Sequence, residues 1–326
     1  MRIGVIGAGA IGGAISALLA RGGHEVEVTA RGANLRVIAA GGVRLTGGWG
    51  DFTALVTAGE KLKVKPDLAF VATKALDAPA AIRANAKKLT GIPVVVVQNG
   101  LESIDSTAPL LPDSTILGAL ALYASSLVAP GHVNVGTTGR TYIGGDDAET
   151  AALVTGILDA VMPTAIVRNF RGAQWTKLVV NQVNAMAAIT GLSVQETIAH
   201  PGLRRIITLS MRENVRVGFA SGIHFEEVQG LTNARLRLFL RSPLPLAERL
   251  PKLMATRMGS VPNPGSTLQS IRRGSLTEID YLNGAVVDAA AAIGAVAPVN
   301  AALTALVHEV ERTGAFLTPD EVLTRV

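Results

Sequence analysis

The sequence contains no cysteine among its 326 residues. This absence excludes a disulfide framework, a thiolate nucleophile and a zinc site built on cysteine. A metal site would have to draw on five scattered histidines and on carboxylates, and we predict none. A chain without disulfides suits a reducing compartment, so we expect a cytoplasmic protein.

Aromatic and charged residues are also few, at 4% and 17% of the chain. The net charge of +5 raises the question of nucleic acid, but the densest basic clusters are only pairs, such as Lys87-Lys88 and Arg272-Arg273. Proteins that bind single-stranded nucleic acid need stacking aromatic side chains as well as positive charge. We therefore predict no nucleic-acid partner and interpret the excess charge as a bias toward small anionic molecules.

Uninterrupted hydrophobic runs are missing too, although the mean hydropathy of +0.38 is high. The stretch 114–139 has no charged residue, yet Ser125-Ser126, Pro130-Gly131 and Thr137-Thr138 interrupt it. Such interruptions indicate strands and turns rather than a spanning helix. Glycines near the N-terminus likewise argue against a signal peptide, so we predict no membrane partner.

Strands and helices alternate in the first half of the chain. Short apolar runs predict strands at 2–6, 24–29, 67–73 and 92–98, and helical patterns follow the first of these up to residue 21 and the third at 75–89. A β-rich stretch at 115–145 and a last helix and strand at 147–167 complete the region. This alternation is typical of a doubly wound parallel sheet, so residues 1–168 are predicted to form an α/β domain of the Rossmann type that binds NADP.

Only helical spacing remains after residue 168. The apolar pattern predicts helices, separated by proline and glycine, at 174–190, 203–221, 225–240, 246–258, 278–293 and 300–311. Residues 169–326 are therefore predicted to form an all-helical domain for substrate and catalysis.

The segment Gly7-Ala8-Gly9-Ala10-Ile11-Gly12 has the pattern G-x-G-x-x-G. The first glycine allows a tight turn, the second lets the backbone approach a pyrophosphate, and the third lets the helix pack closely. The motif alone is weak, but its place directly between a predicted strand and a predicted helix indicates a dinucleotide site. The alternative is a glycine-rich turn without function.

The residue that follows the second strand distinguishes the two nicotinamide cofactors, because an acidic side chain binds the ribose 2′-hydroxyl and a basic one binds a 2′-phosphate. Arg31 stands at this position, while Glu27 lies earlier, inside the strand. This favours NADPH over NADH, unless Arg31 is an ordinary surface residue. Lys74 and Asn99 follow the next two strands, where such a sheet exposes its ligand crevice, but a plain loop or turn explains each of them equally well.

Lys177, Asn181 and Asn184 lie four and three residues apart in the predicted helix 174–190, which puts them on one face. The other positions of this segment are apolar almost all round, so the helix is predicted to be buried. A buried polar stripe needs polar partners or a cavity, and we favour the cavity.

Two polar residues mark the last third of the chain. Ser266 follows Asn263-Pro264-Gly265, and Glu278 opens the predicted helix 278–293. By spacing alone, Ser266 is an N-cap and Glu278 is a first-turn carboxylate favoured by the helix dipole.

Nearly end to end, the chain resembles the ketopantoate reductases (2-dehydropantoate 2-reductases). The resemblance rests on the glycine motif, Arg31, Thr73-Lys74-Ala75, Gln98-Asn99-Gly100, Trp175-Thr-Lys177-Leu-Val-Val-Asn181 and, most specifically, the run at 266–281. It implies a Rossmann-type N-terminal domain and a helical C-terminal domain. It also implies reduction of 2-dehydropantoate to (R)-pantoate with NADPH, in the biosynthesis of pantothenate and coenzyme A.

The same resemblance implies individual roles. Lys177 is the catalytic lysine and Glu278 its acidic partner, and the glycine motif, Arg31, Lys74 and Asn99 hold the cofactor. The implied substrate ligands are Asn99, Asn181, Asn184, Asn263 and Ser266. Asn184 departs from the family pattern, which usually places this asparagine eight residues after the lysine rather than seven. On a continuous helix, one residue turns a side chain by about 100°.

The implied reaction is hydride transfer to the 2-carbonyl carbon of a small 2-keto acid, with Lys177 polarising and then protonating the carbonyl oxygen. One alternative is a 2-hydroxyacid dehydrogenase of the same family with broader specificity. Another is a non-catalytic NADPH sensor, which would need the cofactor site but neither Lys177 nor Glu278. We also expect the chain to form a homodimer.

Overall fold

The structure, a computed structural model, describes every residue from Met1 to Val326. It divides into two compact units, Met1–Phe170 and Arg171–Val326. The first unit is α/β and the second is helical, in agreement with the predicted fold class. The division falls two residues after the boundary expected from the sequence.

The first unit contains two β-sheets and five α-helices. Its strands are β1 (Arg2–Ile6), β2 (Glu25–Thr29), β3 (Val43–Gly47), β4 (Phe52–Ala54), β5 (Thr57–Gly59), β6 (Leu68–Val71), β7 (Val94–Val97), β8 (Ile116–Ala121), β9 (Ala124–Ala129), β10 (His132–Thr137), β11 (Thr141–Gly144) and β12 (Thr164–Ile166). Its helices are α1 (Ala10–Arg21), α2 (Gly32–Gly41), α3 (Ala78–Leu89), α4 (Ser103–Thr107) and α5 (Ala148–Asp159).

The larger sheet has eight strands in the order β12-β11-β8-β7-β6-β1-β2-β5. All neighbouring pairs from β5 to β8 are parallel, whereas β11 pairs antiparallel with β8 and parallel with β12. The chain order along the sheet reverses between β1 and β6. In doubly wound sheets, ligands bind at this switch point, outside the carboxyl ends of the strands.

Alternating residues of the central strands face two separate hydrophobic cores. In β6, Leu68 and Phe70 belong to one core and Ala69 and Val71 to the other. Successive side chains of a strand point to opposite faces, so an unbroken apolar run fits a strand that is covered on both sides.

A second sheet was not predicted from the sequence. Its four strands lie in the order β4-β3-β10-β9 and pack on α1. The helix α1 therefore has neighbours on more than one side, which explains why eight of its residues are buried.

The second unit is built from α6 (Phe170–Asn181), α7 (Val183–Thr190), α8 (Val194–Ala199), α9 (Pro201–Ala220), α10 (Asn233–Arg241), α11 (Leu244–Ala247), α12 (Arg249–Arg257), α13 (Gly265–Arg272), α14 (Asn283–Ala292), α15 (Pro298–Thr313) and α16 (Pro319–Arg325). A short 3₁₀ turn, Ile279–Tyr281, precedes α14. No helix of the structure has the length and apolar character needed to cross a membrane.

The predicted helix 225–240 is wrong in its first half, because α10 begins only at Asn233. Gln229 and Gly230 have φ of 52° and 79°, a left-handed turn that no helix contains. The side chain of Asn233 also accepts a hydrogen bond from the Phe225 N–H at 3.0 Å, which fixes this loop.

Two further predicted helices are shorter than expected. The segment 246–258 divides into α11 and α12, because Pro251 has no N–H to continue a helix and is tolerated only in a first turn. The segment 278–293 begins with the 3₁₀ turn, and its α-helix starts at Asn283.

Candidate functional site

Each glycine of the G-x-G-x-x-G segment meets a different steric requirement. Gly7 follows β1 with φ of 95°, and a Cβ there would lie 2.7 Å from Thr73 Cγ2. A Cβ on Gly12 would collide with the Gly7 carbonyl oxygen, so only glycine lets α1 start this close to the turn. At Gly9, in contrast, no atom beyond its two chain neighbours lies within 4 Å of the position that a Cβ would take. The turn, the close packing and the open backbone thus fall where the motif predicts them.

The open position at Gly9 is also the N-cap of α1, which has no side-chain cap and no acidic residue in its first turn. The first N–H groups of a helix have no partner within the helix and carry partial positive charge. Nearby, the hydroxyl of Thr73 is buried without a hydrogen-bond partner. These features fit the phosphate groups of a dinucleotide.

Two residues that were not predicted hold the glycine turn in place. The Gly7 N–H donates to Thr29 Oγ1 at 3.0 Å, and Asn34 Nδ2 donates to the Ala8 carbonyl oxygen at 2.7 Å. Asn34 Oδ1 accepts a hydrogen bond from the Gly131 N–H at 2.7 Å. Because this last partner is distant in sequence, spacing alone does not distinguish Asn34 from any other polar helix residue.

Arg31, Lys74 and Asn99 lie just beyond the carboxyl ends of β2, β6 and β7. The strands β2, β1, β6 and β7 are neighbours, so these ends share one edge of the sheet. Arg31 is exposed at the N-cap of α2, whereas Lys74 and Asn99 are half-buried. The Gln98 side-chain amide donates to the Thr73 carbonyl oxygen at 3.2 Å and joins two of the strand ends.

Glu27, the acidic residue of β2, has a structural use. Its buried carboxylate accepts the N–H groups of Lys63 at 2.8 Å and Val64 at 3.3 Å. This carboxylate therefore holds the loop that precedes β6, and Arg31 is the charged residue that follows β2.

Lys177 lies within α6 and exposes only 7% of its surface. Burial lowers its pKa to about 8, and the negative charge of Glu278 acts in the opposite direction. Such an ammonium group is still mostly protonated at pH 7 but gives up its proton more readily than a solvated lysine does. Asn181, one turn further along α6, is half-buried.

The helix predicted at 174–190 is not continuous, since α6 and α7 are separated at Gln182. The Gln182 N–H donates to the Val179 carbonyl oxygen, a bond three residues back that is typical of a 3₁₀ turn. Spacing along the chain therefore does not fix the angle between Lys177 and Asn184.

A buried polar network lies at this break. Gln182 Oε1 accepts hydrogen bonds from Ser210 Oγ and from Asn283 Nδ2, both at 2.7 Å. Asn283 Nδ2 also donates to Asn300 Oδ1 at 2.9 Å. Ser210 Oγ lies 2.9 Å from the same oxygen, so its single hydroxyl hydrogen is shared between Gln182 Oε1 and Asn300 Oδ1. All four residues have their side chains fully or almost fully buried, so the network fixes where α6 ends and α7 begins.

Three of the predicted substrate ligands come together at the start of α13. The ideal Cβ position of Gly265 lies 2.5 Å from Asn184 Oδ1, so the Asn184 side chain packs directly on this glycine. Asn263 Oδ1 accepts the Gly265 N–H at 2.9 Å, and the exposed Ser266 is the next residue. The N-cap of α13 is Pro264, so the interpretation of Ser266 as an N-cap is wrong.

Glu278 precedes the 3₁₀ turn Ile279–Tyr281 rather than an α-helix. The interpretation of this residue as a first-turn carboxylate is therefore wrong. Its position is half-buried, and its charge acts on Lys177. The second unit thus contains a lysine–glutamate pair and a cluster of Asn184, Asn263 and Ser266. The structure has no group of three or more histidine, aspartate or glutamate side chains arranged to hold a metal.

Two family profiles match the sequence. The profile described as ketopantoate reductase PanE/ApbA matches residues 3–147, and the one described as ketopantoate reductase PanE/ApbA C terminal matches residues 169–311. Together they cover both units of the structure.

Known proteins are similar over almost the whole chain. A 2-dehydropantoate 2-reductase of Halobacterium salinarum is 28% identical over 96% of this chain and 100% of its own. The crystal structure of a PanE/ApbA family ketopantoate reductase from Ralstonia eutropha JMP134 is 31% identical, covers 96% of this chain and 99% of its own, and has a TM-score of 0.79. The ternary structure of D-mandelate dehydrogenase with NADH and anilino(oxo)acetate shares the fold, with 20% identity over 96% and 99% of the two chains and a TM-score of 0.80. The chain therefore belongs to the ketopantoate reductase family.

Proposed function

We propose that this protein reduces a small 2-keto acid to the 2-hydroxy acid with NADPH, and that its substrate is 2-dehydropantoate, which becomes (R)-pantoate on the route to pantothenate and coenzyme A. The observation that carries the proposal is Lys177, a buried lysine whose pKa is lowered to about 8 by burial and whose positive charge is favoured by the negative charge of Glu278. The names of the relatives support the choice of substrate.

The first unit is proposed to hold the cofactor. The backbone at Gly9 and the first turn of α1 fit the pyrophosphate, and Arg31 fits a 2′-phosphate. Lys74 and Asn99, at neighbouring strand ends, are proposed as further cofactor residues. When bound, the reduced nicotinamide supplies the hydride that the carbonyl carbon of the substrate receives.

Lys177 is proposed to serve the carbonyl oxygen in two ways. Its ammonium group attracts the negative charge that develops on this oxygen, and the attraction is stronger in a buried site than in water. The same group then donates a proton to the oxyanion, which its lowered pKa favours. Both steps use a single nitrogen atom, Nζ.

Glu278 is proposed to keep Lys177 charged and oriented. Burial disfavours the ammonium form, and a nearby carboxylate offsets part of that effect. Without it, Lys177 would lose its proton at a lower pH and would be a weaker electrostatic catalyst.

The remaining polar residues are proposed to bind the substrate. Amide and hydroxyl groups bind a carboxylate and a hydroxyl group without adding charge. The proposed substrate ligands are Asn99, Asn181, Asn184, Asn263 and Ser266. The contact between Asn184 and Gly265 supports a place for Asn184 beside Asn263 and Ser266, although its spacing from Lys177 differs from the family pattern.

The test is NADPH consumption with a panel of 2-keto acids that includes 2-dehydropantoate, pyruvate, 2-ketoisovalerate and phenylglyoxylate. A kcat/KM for 2-dehydropantoate at least about tenfold above that for the others is expected. A higher value for phenylglyoxylate would instead support a broader 2-hydroxyacid dehydrogenase. NADPH binding without turnover of any of the acids would support a sensor.

Cellular location and assembly belong to the proposal as well. The lack of cysteine supports work in the reducing cytoplasm. The homodimer expected from the sequence stays a prediction, for which sedimentation at several protein concentrations is the check.

A further inference from the structure

Glu278 lies in a segment that α15 holds at both ends. On one side of it, the Thr277 N–H donates to Glu311 Oε1 at 2.7 Å. On the other side, Asp280 Oδ1 lies 2.8 Å from His308 Nε2. Glu311 and His308 are both residues of α15, so the short stretch that carries Glu278 is anchored to this helix before and after it.

The two anchoring residues are also bonded to each other. His308 Nδ1 lies 2.8 Å from Glu311 Oε2, across one turn of α15. Thr277 thus contacts Glu311, Glu311 contacts His308, and His308 contacts Asp280. The backbone from 277 to 280 closes these contacts into a ring. Loss of any one link therefore loosens the others, because each side chain orients the next.

The two contacts of His308 fit its protonated form. Each ring nitrogen lies 2.8 Å from a carboxylate oxygen, and a carboxylate can only accept hydrogen bonds. A neutral imidazole has one N–H, whereas the imidazolium ion has two. Burial alone would lower the pKa of His308, but its hydrogen bonds to Glu311 and Asp280 raise it above the ordinary value of 6.5.

The carboxylate of Glu311 is suited to the same arrangement. Burial disfavours its charge, yet the hydrogen bonds from Thr277 and His308 hold its pKa below the ordinary value. Its side chain is 12% exposed, against 44% for His308. The more buried of the two residues is thus the one that contacts the backbone next to Glu278.

Other elements packed on α15 do not contribute charge to His308. The helix α7 has no ionisable side chain, and α14 has only Asp288. On α9, Glu213 accepts the N–H groups of Val299 and Asn300 at the start of α15. The arginines of α9 are Arg204, which pairs with Glu248, Arg212 and Arg216, which donate to backbone carbonyl oxygens, and Arg205, and none of them is among the groups that shift the pKa of His308. The groups whose charges act on His308 are Asp280 and Glu311.

We propose that His308 and Glu311 are positioning residues, which hold the segment 277–280 so that Glu278 stays directed at Lys177. This inference rests on the proposed function, in which Glu278 orients the catalytic lysine. Neither residue touches the reacting atoms. Both act through Glu278.

A dependence on pH follows from this arrangement. Because its pKa is raised in the folded protein, His308 donates to both Asp280 and Glu311 fully below pH 6.5 and loses one of these two hydrogen bonds as the pH rises through the folded value. The reaction is therefore expected to lose rate on its alkaline side in two steps. One belongs to His308 and the other to Lys177, whose pKa is about 8.

The experiment measures kcat, KM and their pH profiles for 2-dehydropantoate in the full-length protein and four variants. His308→Ala and Glu311→Ala are expected to lower kcat at least about tenfold at pH 7 with little change in KM for NADPH. His308→Lys keeps a cation at this position to higher pH, so its kcat is expected to exceed that of His308→Ala and to show only the alkaline step of Lys177.

Glu309→Gln is the matched control. Glu309 is also a carboxylate of α15 in an ion pair, but its partner is Arg325 of α16, at 2.6 Å. Its loss is expected to leave kcat and the pH profile unchanged. Circular dichroism verifies that each variant is folded. If Glu311→Ala is not folded, Glu311→Gln replaces it; this variant retains an acceptor for the Thr277 N–H but loses the charge that raises the pKa of His308, so the His308 step is expected at a lower pH than in the wild type.

The inference is overturned if the His308 and Glu311 variants have the kcat and pH profile of Glu309→Gln, or if His308→Lys is no better than His308→Ala. A wild-type protein that reduces no 2-keto acid would instead overturn the proposed function itself. The two failures are distinguishable because the first occurs in an active enzyme.

Discussion

At the scale of single residues, Glu27 and Arg31 differ in their position relative to the end of β2. Glu27 points into the fold and binds the N–H groups of a loop. Arg31 is exposed immediately after the strand, where a doubly wound sheet meets the ribose of a dinucleotide. We therefore propose that Arg31 discriminates between the two cofactors.

The change Arg31→Ala is expected to weaken NADPH binding by about 1.5 to 3 kcal/mol, the usual size of a lost charge-assisted contact. NADH, which lacks the 2′-phosphate, is expected to bind as before. Fluorescence titration of both cofactors measures the difference. Arg36→Ala, an exposed arginine on the same helix, is the control, and an unchanged preference in Arg31→Ala would refute the assignment.

At the scale of elements, the glycine turn combines positions that tolerate a side chain with positions that do not. Gly12 packs against the Gly7 carbonyl, whereas the surroundings of Gly9 are open. Gly9 also has φ of −79°, which any residue can adopt. A methyl group at Gly9 would thus leave the fold intact while occupying the space proposed for the pyrophosphate.

Gly9→Ala is therefore expected to raise the Kd for NADPH at least about tenfold, or roughly 1.4 kcal/mol, with little change in Tm. Gly12→Ala is expected to lower Tm, because its Cβ meets backbone atoms. Calorimetry of binding and thermal unfolding separate the two effects. Gly156→Ala, at an open position of α5, should change neither quantity adversely, and normal NADPH affinity in Gly9→Ala would place the pyrophosphate elsewhere.

Some strands and helices of the structure could be predicted from the sequence, and others could not. Strand β1, helix α1 and strands β6 and β7 follow from local apolar patterns, and the structure places them within a few residues of the predicted ranges. The break at Gln182 could not be predicted in this way. It depends on side chains 28 and 101 residues away, which only the folded chain brings together.

Only some residues of the candidate site could be predicted from local patterns in the sequence. The glycine motif and the position of Arg31 have local signals, and Lys177 stands out as a charge within an apolar helix. Glu278, Asn263 and Ser266 have no such signal, since their spacing fits ordinary helix ends, and only resemblance to a family singles them out. Asn34, His308 and Glu311 have no signal in the sequence either, because their contacts are with partners distant in sequence.

At the scale of the whole molecule, Lys177 is expected to lower stability. Its pKa is about 8 in the folded protein and 10.5 in an ordinary environment. The folded state thus binds fewer protons than the unfolded state between these values, so stability rises with pH in this window and the full cost applies below pH 8. Functional groups often destabilise a fold in this way.

Lys177→Met is accordingly expected to increase the free energy of unfolding by about 1 to 3 kcal/mol at pH 7, and the gain should shrink toward pH 10.5. Urea unfolding of the wild type and the variant at pH 7 and pH 10 measures it. Lys252→Met removes an exposed lysine of α12 and should produce no gain that depends on pH. A constant gain at both values of pH would mean that the lysine is not desolvated.

We propose that Lys177 both polarises and protonates the carbonyl oxygen of a 2-keto acid, and single-turnover hydride transfer by Lys177→Arg separates these two roles. An arginine retains the positive charge but does not release a proton at the working pH. We expect the rate with NADPH and 2-dehydropantoate to fall by about 10² or more while the Kd for NADPH stays unchanged, because the proposed cofactor residues lie in the first unit. A rate near that of the wild type would contradict the claim and show that charge alone is sufficient and that the proton has another source.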